Sequence, residues 1–149
     1  MGILLALVHA GVGALWLGSM AYSLFVVQPR VARVLAAGPA EDVYRELAAG
    51  NRWRVVALIA ALAVSGLALV PLSAHPRGWW LLVIFKTLLL VLATAVFWWV
   101  SWRGWPRRVF ALPEELPAVQ RRFRRVAIVM FGLVGLGFVL GVVVSRLPS

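Results

Sequence analysis

Four long apolar runs, separated by short stretches that hold nearly all the charge, organise this chain. They cover about residues 2–27, 53–72, 79–102 and 126–145. A hydrocarbon core of about 30 Å takes about 20 apolar residues in helical form, so each run is long enough to cross a bilayer. Pro29, Pro71, Pro76 and Pro106 stand near the run ends, where proline disturbs a helix least. Irregular backbone is not tolerated against lipid, so the pattern predicts four helices packed on one another. The expected fold is an all-α integral membrane protein, with residues 1–149 forming one four-helix transmembrane domain. Segments 42–47 and 114–123 are expected to form short interfacial helices.

Composition agrees with that reading. Of the 149 residues 63% are hydrophobic and 13% charged, with a mean hydropathy of +0.94, far from a soluble domain. The run at residues 1–27 has no positive leader and is too long for a cleaved signal, so it reads as a retained first span. There is no cysteine, which excludes disulfides, thiolate metal sites and thiol redox chemistry.

The net charge of +10 resides in the loops. Arg30, Arg33, Arg45, Arg52 and Arg54 fall between the first and second runs. Arg103, Arg107, Arg108, Arg121, Arg122, Arg124 and Arg125 fall between the third and fourth. Only Arg77 lies between the second and third, and only Arg146 follows the fourth. The positive-inside rule therefore predicts both termini outside and the two arginine-rich loops in the cytoplasm. Such loops attract anionic lipid rather than nucleic acid. Trp53, Trp79, Trp80, Trp98, Trp99, Trp102 and Trp105 mark run ends as interfacial belts, whereas Trp16 lies mid-run. Glycines in the first run (Gly11, Gly13, Gly18) and the fourth (Gly132, Gly135, Gly137, Gly141) predict close helix contacts.

Two ionisable residues break the apolar runs. Lys86 lies inside the third, and all five carboxylates (Glu41, Asp42, Glu46, Glu114, Glu115) lie in the polar stretches. An ionisable group at that depth is costly and marks a functional site by default. His9 lies in the first run. Counting from the outer ends places His9 and Lys86 each roughly 10 Å deep, on helices running in the same direction. A shared polar layer is expected. For Lys86, snorkelling outward to the headgroups competes with pairing to a bound anion. For His9, a hydrogen bond to a neighbouring carbonyl competes with metal ligation. His9, Gly13, Trp16 and Met20 share a helix face, but His9 and Met20 are roughly 16 Å apart and cannot hold one ion together. His75, between the second and third runs, is either a solvated loop residue or a metal ligand; the thioethers of Met1, Met20 and Met130 are further soft donors for copper.

His9, Trp16 and Gly18 in the first run, Gln28-Pro29-Arg30 at its exit, Arg52-Trp53-Arg54 before the second run and Phe85-Lys86 in the third resemble a known pattern. It is that of CopD-like copper-resistance membrane proteins and the related HemJ-type protoporphyrinogen oxidases. The likeness extends to the layout of all four runs. It implies a bacterial inner-membrane protein with an intramembrane His9/Lys86 pocket for haem b or copper. Haem would take His9 as axial ligand, Lys86 as propionate partner or second ligand, and Gly13 and Trp16 as pocket walls. The CopD branch implies copper handling; the HemJ branch implies oxidation of protoporphyrinogen by the same two residues. A different class stays open beside these: a non-catalytic accessory subunit or assembly factor whose glycine faces pack against partner membrane proteins.

Overall fold

The computed structural model describes residues 2–35, 37–72, 78–112 and 114–145. Helix α1 (Gly2–Tyr22) passes through a π-helical turn (Ser23–Val27) into α2 (Gln28–Val34). Helix α3 (Ala37–Ala49) meets α4 (Asn51–Leu69) at Gly50, and α4 closes in a 3-10 turn at Val70–Leu72. Helix α5 (Trp79–Trp99) follows Gly78, whose φ of 83° is the left-handed conformation that glycine adopts without strain. A second π turn (Val100–Gly104) leads from α5 into α6 (Trp105–Val109), and α7 runs from Leu116 to Val144. Four continuous helical stretches, 29 to 34 residues long, are each long and apolar enough to cross a membrane.

The ends differ from expectation in an instructive way. The first and third helices do not stop at their prolines; they continue to Val34 and Val109. Proline lacks an N–H, and its ring presses on the carbonyl four residues back. Pro29 and Pro106 each come two positions after a π turn, at residues 23–27 and 100–104. The wider turn separates the carbonyls that a regular α-helix would drive into the ring, so the helix survives its proline. Residues 42–47 are helical as expected, within α3. Residues 116–123 belong to the long α7, with Pro117 tolerated in the first turn, where an N–H has no intrahelical partner anyway.

Helix α1 packs between α4 and α7, and α7 packs on α5. The centre is small: Trp16, Val55, Ala93, Phe97 and Val134, with Met20, Leu62 and Met130 against it. Ala93, 1% exposed, lets α5 approach closely. Most large aliphatic side chains face outward, Ile3 at 81%, Val34 at 79% and Leu67 and Leu81 at 73% exposure among them. In water that surface would drive association; it is compatible with contact to lipid.

Candidate functional site

His9 and Lys86, expected at one level, are in hydrogen-bonding contact. Lys86 Nζ lies 3.2 Å from His9 Nε2, and His9 Nδ1 lies 2.7 Å from Ser65 Oγ. Ser65 in turn donates to the Ala61 carbonyl one turn back on α4. A serine hydroxyl has one proton. With that proton on Ala61 O, Ser65 Oγ accepts from His9 Nδ1–H, and His9 Nε2 keeps a lone pair towards Lys86, which donates to it. The chain of bonds therefore joins α5, α1 and α4 and selects one imidazole tautomer.

Two glycines make the layer possible. A Cβ on Gly66 would sit 3.2 Å from His9 Cε1, and one on Gly141 would sit 2.8 Å from Lys86 Nζ. Helix α4 thus makes room for the imidazole, and α7 makes room for the amine. All four long helices contribute, and Lys86 turns into the bundle rather than out along its surface. Ser65, Gly66 and Gly141 were not expected as site residues. Ser65 carried a readable signal: it lies seven positions before Leu72, the same count from the run end that singles out Lys86 after Trp79.

The other anticipated residues lie elsewhere. Trp16, 2% exposed, is in the core two turns from His9, and its indole Nε1 has no hydrogen-bond partner among the described residues. The space beside Gly13 is taken by Phe138, 3.3 Å from where a Cβ would be, and by Leu62. Met20 also packs on the core. His75 lies outside the described residues. Among the described residues no three His, Cys, Asp or Glu side chains gather where they could hold a metal ion. The metal donors at the polar layer are accordingly two nitrogens, His9 Nε2 and Lys86 Nζ. As an ammonium, Lys86 Nζ has no lone pair, so it could join His9 Nε2 at an ion only after giving up a proton. A haem macrocycle would have to displace the Lys86 side chain, because imidazole and amine touch.

A second cluster occupies the arginine-rich end. Arg108 donates to Glu41 through Nε (2.7 Å to Oε1) and Nη2 (2.9 Å to Oε2), and both side chains are buried. The guanidinium also lies about 5 Å from the ring centres of Tyr44, Trp105 and Phe123. Burial alone raises the Glu41 carboxyl, but the Arg108 bond and charge outweigh it and hold Glu41 below the usual carboxylate range. Tyr44 OH donates to the Gln28 carbonyl (3.2 Å), and Arg52 Nη2 donates to the Ser101 carbonyl within the second π turn (2.6 Å). These bonds tie α3 and α4 to the two π-turn regions. The cluster pins the bundle end together, with Glu41 and Arg108 spent on each other.

Comparison with protein-family models, with curated proteins and with solved structures gave no match.

Proposed function

We propose that the His9–Lys86 layer is an intramembrane ligand site for copper or haem b, in a four-helix membrane protein with both termini outside. What supports this is one observation: Lys86–His9–Ser65 is a hydrogen-bonded relay with no carboxylate, in which the imidazole presents an Nε2 lone pair held by a partner at Nδ1. Metal-binding histidines are oriented in this way by an acceptor behind the ring. Bound copper would supply a redox centre or a cargo ion; His9 would anchor it and Ser65 would hold the ring. Lys86 would leave Nε2, either giving up a proton to become a second nitrogen donor or keeping its charge to pair with an anionic group of the ligand. Of the two ligands, copper is the smaller and asks less rearrangement of the layer. Haem fits only with the Lys86 side chain displaced from the imidazole, its amine then meeting a propionate.

The test is an absorption spectrum of the detergent-purified protein with and without dithionite, together with metal analysis after loading with Cu(I) or haemin. Stoichiometric copper, or a Soret band, that His9→Ala removes is the expected result. No uptake of either ligand by the folded wild-type chain would refute the proposal.

A second reading, an accessory subunit, draws on a separate observation. Gly11, Gly18, Gly132 and Gly137 have nothing within 4 Å of their virtual Cβ atoms, so these small faces of α1 and α7 are not used inside the chain. Small residues are where membrane helices meet closely. A strictly monomeric chain in mild detergent and in membrane crosslinking would count against it.

A further inference from the structure

Between the two π turns and α7 lies a cavity of about 880 Å³, opening at the arginine-rich end. Its lining has two parts. Met20, Leu24, Phe97 and Met130 form an apolar limb that reaches the core, while Arg52, Arg121 and Arg124 stand on its walls with Gln28 and Asn51. The fourth lining arginine, Arg108, is consumed by Glu41. Arg52, Arg121 and Arg124 have no carboxylate within ion-pairing distance among the described residues. Arg52 is instead anchored by the Ser101 carbonyl and lies over the Trp102 ring, which leaves its remaining donors pre-positioned. Both π turns face this space, through Ser23, Leu24 and Val27 on one side and Val100 and Ser101 on the other. Inserted turns of this kind recur at functional sites.

We infer that the cavity binds one phospholipid of net negative charge, its phosphate on Arg52, Arg121 and Arg124 and an acyl chain along Met20, Leu24 and Met130. Surplus positive charge at the rim asks for an anion, and basic pockets between membrane helices take such headgroups. The apolar limb asks for a hydrocarbon, and the space is far larger than a bare phosphate fills. Two methionines supply flexible, adaptable walls for a chain without fixed shape. Guanidinium rather than ammonium suits phosphate, because its fork donates two parallel bonds. The inference rests on a bilayer location but not on any ligand at His9.

The test is native mass spectrometry of the full chain in neutral detergent, titrated with phosphatidylglycerol, phosphatidylcholine or inorganic phosphate. One phosphatidylglycerol per chain should bind at least about tenfold more tightly than phosphatidylcholine. Arg121→Gln with Arg124→Gln should erase most of that preference. Arg30→Gln with Arg33→Gln, which removes the same charge outside the cavity, should leave it intact. Leu24→Trp should weaken both lipids by filling the apolar limb, with helicity by circular dichroism confirming the fold; if that variant is unfolded, Met130→Trp takes its place. Equal affinity for the two lipids would overturn the inference, as would equal losses in the two arginine pairs. Inorganic phosphate competing as well as the lipid would make this a phosphate site and likewise overturn it. A wild-type Soret band or copper content unchanged in Arg121→Gln/Arg124→Gln keeps this outcome separate from that at His9.

Discussion

Lys86 and Arg108 are both basic side chains turned into the bundle, and their surroundings are opposites. Arg108 meets a carboxylate in a two-pronged pair, with three aromatic rings around the guanidinium. Lys86 meets an imidazole lone pair and the open face of Gly141. The first arrangement satisfies its groups and leaves nothing for a ligand to do. The second satisfies a donor with an imidazole acceptor, and among the described residues no carboxylate pairs with the amine. Charge compensation thus separates the two basic residues: Arg108 is paired with a carboxylate and Lys86 with a neutral ring.

The sharpest way to break that contrast is by stability. Arg108→Ala should destabilise the fold by about 3–5 kcal/mol, because a buried carboxylate is left alone. Lys86→Met should change it by less than about 1 kcal/mol, since only a lysine–imidazole bond is lost and the apolar stem is kept. Thermal or SDS-titrated unfolding in detergent compares them; similar losses would erase the distinction. Next in size, Ser65→Ala should weaken copper or haem binding about 10- to 100-fold through the freed ring, at a stability cost of about 1 kcal/mol. Competition with a chelator of known affinity measures it, and an unchanged affinity would mean the tautomer is not set by Ser65.

Gly141→Ala should push the Lys86 amine off His9 at little cost in stability, because the displaced atom is the free end of a flexible chain. The His9 ring-nitrogen resonances should report the lost acceptor contact at Nε2. Smallest is an acid effect. Glu41 has a lowered pKa in the fold, so the stability it adds is complete above the unfolded carboxyl's pKa. That stability falls away as pH drops through the folded value, below the usual carboxylate range. Glu41→Gln should flatten that acid limb.

Much of this architecture was legible because lipid imposes simple lengths. Four runs of the right length became four long helices, and counting inward from run ends brought His9 and Lys86 to one level. What counting could not reveal was who else stands there. A glycine in an apolar run looks the same whether it packs helices or makes space for a side chain, so Gly66 and Gly141 were not distinguishable from packing residues, and the depth count that marks Ser65 does not say what it bonds. The Glu41–Arg108 pair joins two loops far apart in the chain, and no local pattern encodes which of twelve loop arginines a carboxylate will choose. Pro29 and Pro106 were misleading for a physical reason: the break that proline threatens is absorbed upstream.

That absorption carries a geometric consequence. An α-helix turns about 100° with each residue, and a π bulge holds one residue more than the regular coil. Everything beyond Val27 or Gly104 is therefore rotated by about that angle from where an unbroken helix would aim it. Arg108, which meets Glu41, lies just beyond the second of these turns. Deleting one residue from residues 100–104 would swing the guanidinium a quarter-turn or so away, although no contact residue had been changed. At this end of the molecule, the tally of residues in a single coil decides which side chains ever meet.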